Sequence, residues 1–208
     1  MGYRDVFKNK HTWFCTVTYV MTFGSFSGFS AAFPLMIKTI YGTFPNAPDA
    51  LTYAFLGPLI GSATRVIFGF VADKTGGAIL THLAGLAMIA LCAAMVFLGL
   101  LTPTSLDQFP LFVACMRGIF FFSGIGNAAT FRQYPIIFAH SPRQGAQVLG
   151  FTGAIAAYGP FFFATLVGSS ITRTGSATPF FIGATVFYLA AVALNWWFYT
   201  RKGAESPC

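Results

Sequence analysis

Three observations predict an all-α membrane protein of six transmembrane helices. Of the 208 residues only 8% are charged and 56% are hydrophobic, far from the roughly 25% charge of a soluble domain, and the mean hydropathy is +0.70. Six apolar stretches, each long enough to cross a hydrocarbon core at about 20 residues per crossing, alternate with short polar breaks. The chain also combines 26 phenylalanines with 22 glycines, as expected where large rings meet lipid and small residues let helices approach closely.

The first span, Thr12–Ile40, follows a polar opening and stops before the turn-forming Pro45, Asn46 and Pro48. Met1 to Lys10 lacks the pattern of a cleavable leader, so this span is expected to stay in the mature protein. The second, Ala50–Val71, ends at Asp73 to Gly77; the third, Ala78–Leu100, at Thr102 to Asp107. The fourth, Pro110–Phe138, ends at Ser141 to Gln144, the fifth, Gln147–Ile171, at Arg173 to Ser176, and the sixth is Thr178–Tyr199. The expected organisation is a lead-in over 1–11, a six-helix bundle over 12–199 and a tail over 200–208.

Charge gives the orientation. Arg4, Lys8, Lys10, Lys74, Arg143, Arg201 and Lys202 fall on the side that holds both termini, against Lys38 and Arg173 opposite. The positive-inside rule then puts both termini in the cytoplasm, for a protein of the cell (inner) membrane. The net charge of +7 is dispersed between apolar segments and forms no basic patch, which argues against nucleic acid. Cys15, Cys92, Cys115 and Cys208 make no metal-ligand spacing, and no metal or cofactor is expected.

Arg65, Arg117 and Arg132 lie inside or near spans, where charge is costly and calls for a partner or an escape route. Arg117 and Arg132 sit roughly two turns from an end of the fourth span, within snorkelling reach of the headgroups. Arg65 follows Gly57 and Gly61 at four-residue spacing, a small-residue stripe that marks a face packed on protein, so it is expected to point into the bundle. Asp5, Asp49, Asp73, Asp107 and Glu205 all fall outside the six expected spans. A guanidinium without a carboxylate partner suits a planar oxyanion; backbone carbonyls or snorkelling are the alternative. Tyr19 and Phe23, four apart in the first span, are either packing or a ligand wall. Glycine-rich stretches over 123–130 and 150–160 allow close approach, bending or backbone exposure.

The segments Thr22-Phe-Gly-Ser-Phe-Ser-Gly-Phe-Ser30, Tyr53-Ala-Phe-Leu-Gly-Pro-Leu-Ile-Gly61, Asp73-Lys-Thr-Gly-Gly77 and Gly124-Ile-Gly-Asn-Ala-Ala-Thr-Phe131 resemble the carboxy-terminal six helices of the NarK-type nitrate/nitrite porters of the major facilitator superfamily. The resemblance implies one half of that fold. It implies that Arg65 clamps the substrate anion, that Tyr19 and Phe23 wall the site, and that Gly150 brings backbone to the anion. Gly124, Gly126 and Asn127 match a segment assigned to helix packing and bending first and substrate contact second. The amino-terminal six helices have no counterpart here, and Met1 falls where the family's central cytoplasmic loop would be, so a truncated reading frame, a split gene or an incomplete sequence is expected.

The implied activity is nitrate/nitrite transport by alternating access, with nitrate, nitrite, the lipid bilayer and an amino-terminal half or a second copy as partners. The rivals are a transporter of another small anion, a non-transporting structural or assembly subunit, and a membrane enzyme. The last would need a catalytic set, and the spans hold no paired carboxylates and no metal-spaced His or Cys.

Overall fold

A hydrocarbon core offers no water to backbone N–H and C=O groups, so each apolar stretch must satisfy them internally, and a helix does so. The computed structural model describes residues 3–208, with side chains from residue 6 onward; the placement of Met1 and of the Arg4 and Asp5 side chains lies outside the described residues. A short lead-in helix, Tyr3–Lys8, precedes six helices long and apolar enough to cross a membrane: α1 Lys10–Tyr41, α2 Ala50–Thr75, α3 Gly77–Phe97, α4 Leu106–Ile137, α5 Pro142–Thr174 and α6 Thr178–Thr200. There is no strand among the described residues.

Helix ends shift from the sequence expectation by up to five residues, and two of the shifts extend a helix into polar sequence. The second helix runs past Val71 to Thr75, so Asp73 and Lys74 stand in its last turn, and Gly76 ends it with a φ of 91°. The fifth starts at Pro142, where Ser141 accepts a hydrogen bond from the Gln144 N–H at 3.4 Å and caps the first turn. Both extensions are polar helical turns outside the apolar window, which hydropathy does not register.

α1 and α4 are the inner helices: 56% and 61% of their apolar windows are buried, against 17% in α2 and 22% in α5. The main core joins Phe29, Phe33 and Met36 of α1 to Met88, Phe112, Phe120 and Phe181. A second core, nearer the termini, gathers Cys15, Tyr19, Tyr134, Phe138, Val148 and Tyr199. Glycines set the closest approaches. A Cβ on Gly124 would stand 2.0 Å from Thr64 Oγ1 and 2.5 Å from the Gly61 carbonyl oxygen, and one on Gly159 would stand 2.3 Å from the Gly24 carbonyl oxygen. The first pair locks α4 to α2, and the second locks α1 to α5 where α5 breaks at Tyr158.

α1 is itself irregular, with wide π turns at Val20–Gly24 and Ile37–Tyr41. Thr16, Thr18, Thr22, Ser27 and Ser30 each return a hydroxyl bond to the carbonyl four residues earlier, a pattern that bends helices. The first π turn lies between Tyr19 and Ser25, and such turns recur at functional sites.

The start of α1 and the carboxy-terminal tail meet at one end of the bundle. Lys10 Nζ contacts Glu205 Oε2 at 2.7 Å, and His11 lies between the Tyr199 hydroxyl at 2.9 Å and Glu205 Oε1 at 3.3 Å. The Ala78 N–H donates to the Cys208 carbonyl at 3.0 Å, so the tail also caps the start of α3. Lys10 holds the Glu205 carboxyl below its ordinary pKa, while burial pushes the Cys208 thiol up to about 12.

Candidate functional site

The site builds from the α2–α4 contact. Because Gly61 and Gly124 let these helices touch, residues two turns further along α4 reach the side chains of α2. Arg65 Cζ lies 5.0 Å from the centre of the Phe131 ring. Phe131 also meets Tyr19 edge-on at 5.4 Å, and Tyr19 stacks on Phe23 at 5.4 Å with 21° between the planes. Across the π turn of α1, these rings make an aromatic wall beside the guanidinium. Tyr134 continues it, edge-on to Tyr19 at 6.2 Å, and its hydroxyl is 2.8 Å from Thr152 Oγ1, tying α4 to α5. From Phe131 and Tyr134 a groove of about 420 Å³ extends past Pro142 and Ala146.

One expectation about Arg65 is corrected. Gly57 and Gly61 are buried, but Arg65 is exposed, so it does not point into the bundle. The packed stripe runs Gly57, Gly61, Thr64. At about 100° per residue, each four-residue step overshoots a full turn by about 40°, which places Arg65 about 80° off the line of Gly57, while the seven-residue step to Thr64 returns close to it. The guanidinium therefore lies at the rim, in the open face left by α2. Among the described residues no carboxylate pairs with it.

Asn127 is fully buried on α4, one turn before Phe131, and neither its amide nitrogen nor its amide oxygen has a hydrogen-bond partner. An unsatisfied buried polar group costs about 1–3 kcal/mol. Gly124 and Gly126 are packing positions: a Cβ on Gly126 would meet Thr22 Cγ2 at 2.6 Å. Gly150 is exposed on α5, with open space where a Cβ would stand, next to Leu149 of the groove. The structure thus brings Arg65 and Tyr19 onto Phe131, with Phe23 stacked on Tyr19, places Asn127 one turn away, and leaves Gly124 and Gly126 in helix contacts.

Phe131 is the candidate site residue that sequence reasoning missed, because its place under Arg65 depends on the contact between α2 and α4. Arg132, read as snorkelling, pairs with Asp73 through Nε–Oδ1 at 3.1 Å, since α2 carries Asp73 in its last turn. Arg117 is exposed on α4. Among the described residues no three His, Cys, Asp or Glu side chains gather to hold a metal ion. Chemically, an unpaired planar cation against aromatic faces can take a small, weakly hydrated planar anion through two parallel N–H bonds.

No family model matches the chain. It is 57% identical over 204 residues, 98% of its length, to a protein named probable nitrate/nitrite antiporter NarK2 of Thermus thermophilus. Over nearly its whole length the chain is thus homologous to a NarK-type nitrate/nitrite porter. It is also similar to the nitrate/nitrite transporter NarU of Escherichia coli, with 34% identity over 95% of the chain, and to the nitrite extrusion protein of Bacillus subtilis, with 26% identity over 96%. These alignments cover 45%, 46% and 47% of the relatives, so the chain spans about half the length of the curated relatives it matches. The chain is an integral membrane protein whose six helices fit one half of the major facilitator fold.

Proposed function

We propose that the chain is the carboxy-terminal half of a nitrate/nitrite transporter that works by alternating access, and that Arg65, Tyr19, Phe23 and Phe131 form its side of the anion site. The observation that carries this reading is the unpaired Arg65 guanidinium set over Phe131 beside the stacked Tyr19 and Phe23. Nitrate and nitrite are planar and singly charged, and an arginine fork with aromatic walls fits them better than it fits a sugar. Asn127 adds a buried amide close to the same wall, and Gly150 offers exposed backbone on α5. The names of the relatives support the substrate class. Both termini lie in the cytoplasm of a cell (inner) membrane in this reading.

The two least buried helices, α2 and α5, leave the site with one wall. Its other wall belongs to an amino-terminal six-helix half, in the same or a separate chain, or to a second copy. Since the halves of this fold share one orientation in the membrane, a second copy is geometrically admissible. Transport and not chemistry is the activity, and exchange of nitrate for nitrite is favoured because no carboxylate among the described residues pairs with Arg65.

Liposome exchange tests the proposal. The chain alone, and the chain fused to the portion of the Thermus antiporter outside the aligned region, are reconstituted into nitrite-loaded liposomes and challenged with nitrate. Exchange by the fusion and none by the chain alone is expected. Exchange by the chain alone replaces the missing half with a second copy, and no exchange by either abandons the transport reading.

A further inference from the structure

A groove of about 530 Å³ opens between α5 and α6, with Val20 of α1 as its floor. It is separate from the Arg65 site and shares no residue with the groove below Phe131. Its walls are Phe163, Leu166, Phe180 and Phe187, and Gly183 keeps it open, since nothing lies within 4 Å of a Cβ built there. Arg173 stands at the mouth, at the end of the bundle away from the termini.

Length and charge point to the occupant. On α6 the lining residues run from Pro179 to Tyr188, a rise of about 14 Å at 1.5 Å per residue, against about 15 Å for one leaflet of a hydrocarbon core about 30 Å thick. The bore is therefore apolar over the depth of one leaflet and carries a cation at headgroup level. Arg173 is exposed and has no carboxylate partner among the described residues. The nearby hydroxyls are already committed: Ser169 to the Leu166 carbonyl, Ser170 to the Ser176 carbonyl and Thr174 to the Ser170 carbonyl. The guanidinium is thus the one cationic donor at the mouth, and the matching group is a phosphate that bears a net negative charge.

We propose that this groove is a binding site for an anionic phospholipid of the leaflet opposite the termini, with one acyl chain between α5 and α6 and the headgroup phosphate on Arg173.

The test uses the full chain, purified in detergent and incubated with equal amounts of phosphatidylglycerol and phosphatidylcholine of the same acyl composition. Bound lipid is counted by native mass spectrometry. Phosphatidylglycerol is expected in excess by about fivefold, the weight of one basic side chain facing an anionic headgroup. Arg173→Gln should bring the two lipids to parity without losing either. Gly183→Leu fills the bore from a position with free space and should lose both, while thermal unfolding of both variants in detergent stays at the parental midpoint. Excess inorganic phosphate should leave the bound phosphatidylglycerol in place. Equal binding by the parent, an unchanged preference in Arg173→Gln, retention of both lipids in Gly183→Leu, or displacement by inorganic phosphate would each overturn the proposal.

Discussion

Arg65 of α2 and Phe131 of α4 form one surface, with the guanidinium carbon 5.0 Å from the ring centre. A cation over an aromatic face is worth about 0.5–2 kcal/mol, and here it also fixes the direction in which the fork points. Phe131→Leu keeps the apolar volume and removes the ring. In the fused, complete transporter we expect nitrate affinity to fall about threefold to tenfold with little change in the unfolding midpoint, as read by binding titration and thermal unfolding. An unchanged affinity would mean that the ring does not orient Arg65.

Gly124 and Gly150 should respond differently to the same methyl group. Gly124→Ala drives a Cβ into Thr64 Oγ1 and the Gly61 backbone, and overpacking of this kind costs about 1–3 kcal/mol. Gly150→Ala meets open space, so its unfolding midpoint in detergent should equal the parent's. If Gly150 brings backbone to the anion, the same substitution lowers exchange by the complete transporter. Equal stability losses at the two positions would contradict this account of the packing.

The tail docking depends on a carboxylate. Glu205 has its pKa lowered by Lys10 first, with His11 contributing. A lowered folded-state pKa stabilises the docked form above the ordinary value of 4.5, and that stabilisation is lost as pH falls through the folded value. The amide protection of Ser206 and Cys208, which donate to the Phe198 and Tyr199 carbonyls, should therefore exceed that of Glu205→Gln at pH 6 and match it near pH 3. Hydrogen exchange measured against Glu205→Gln at each pH reads this directly. Equal protection at pH 6 would assign the docking to backbone bonds alone.

The charge asymmetry makes a prediction about sidedness. The Ala78–Cys208 bond and the Lys10–Glu205 pair place the α2–α3 turn at the same end as both termini, and the positive-inside rule makes that end cytoplasmic. With Cys208 replaced by Ser, an impermeant maleimide added to intact cells should label Lys38→Cys and spare Lys74→Cys. The reverse pattern would invert the topology.

The six helices were legible because a bilayer leaves an apolar stretch of this length one way to satisfy its backbone. The end of α2 was not: Asp73 and Lys74 read as loop residues in a hydropathy window, yet nothing breaks the helix until Gly76 adopts a positive φ. The residue types of the site were visible, but the direction of Arg65 was not, because a four-residue spacing drifts off the stripe that Gly57 and Gly61 begin. Phe131 as the ring under Arg65 was out of reach, since it depends on the approach of Gly61 to Gly124 across two helices. The Lys10–Glu205 pair, 195 residues apart in sequence, had no local pattern at all.

In the proposed transporter the planar fork of Arg65 holds the anion. Arg65→Lys keeps the charge and removes the bidentate geometry, and losing a hydrogen bond to a charged group costs about 1.5–3 kcal/mol. Nitrate titration of the complete transporter should therefore show at least about tenfold weaker binding in Arg65→Lys at an unchanged unfolding midpoint. Parental affinity in Arg65→Lys would contradict the account and leave Arg65 as a rim arginine stacked on Phe131.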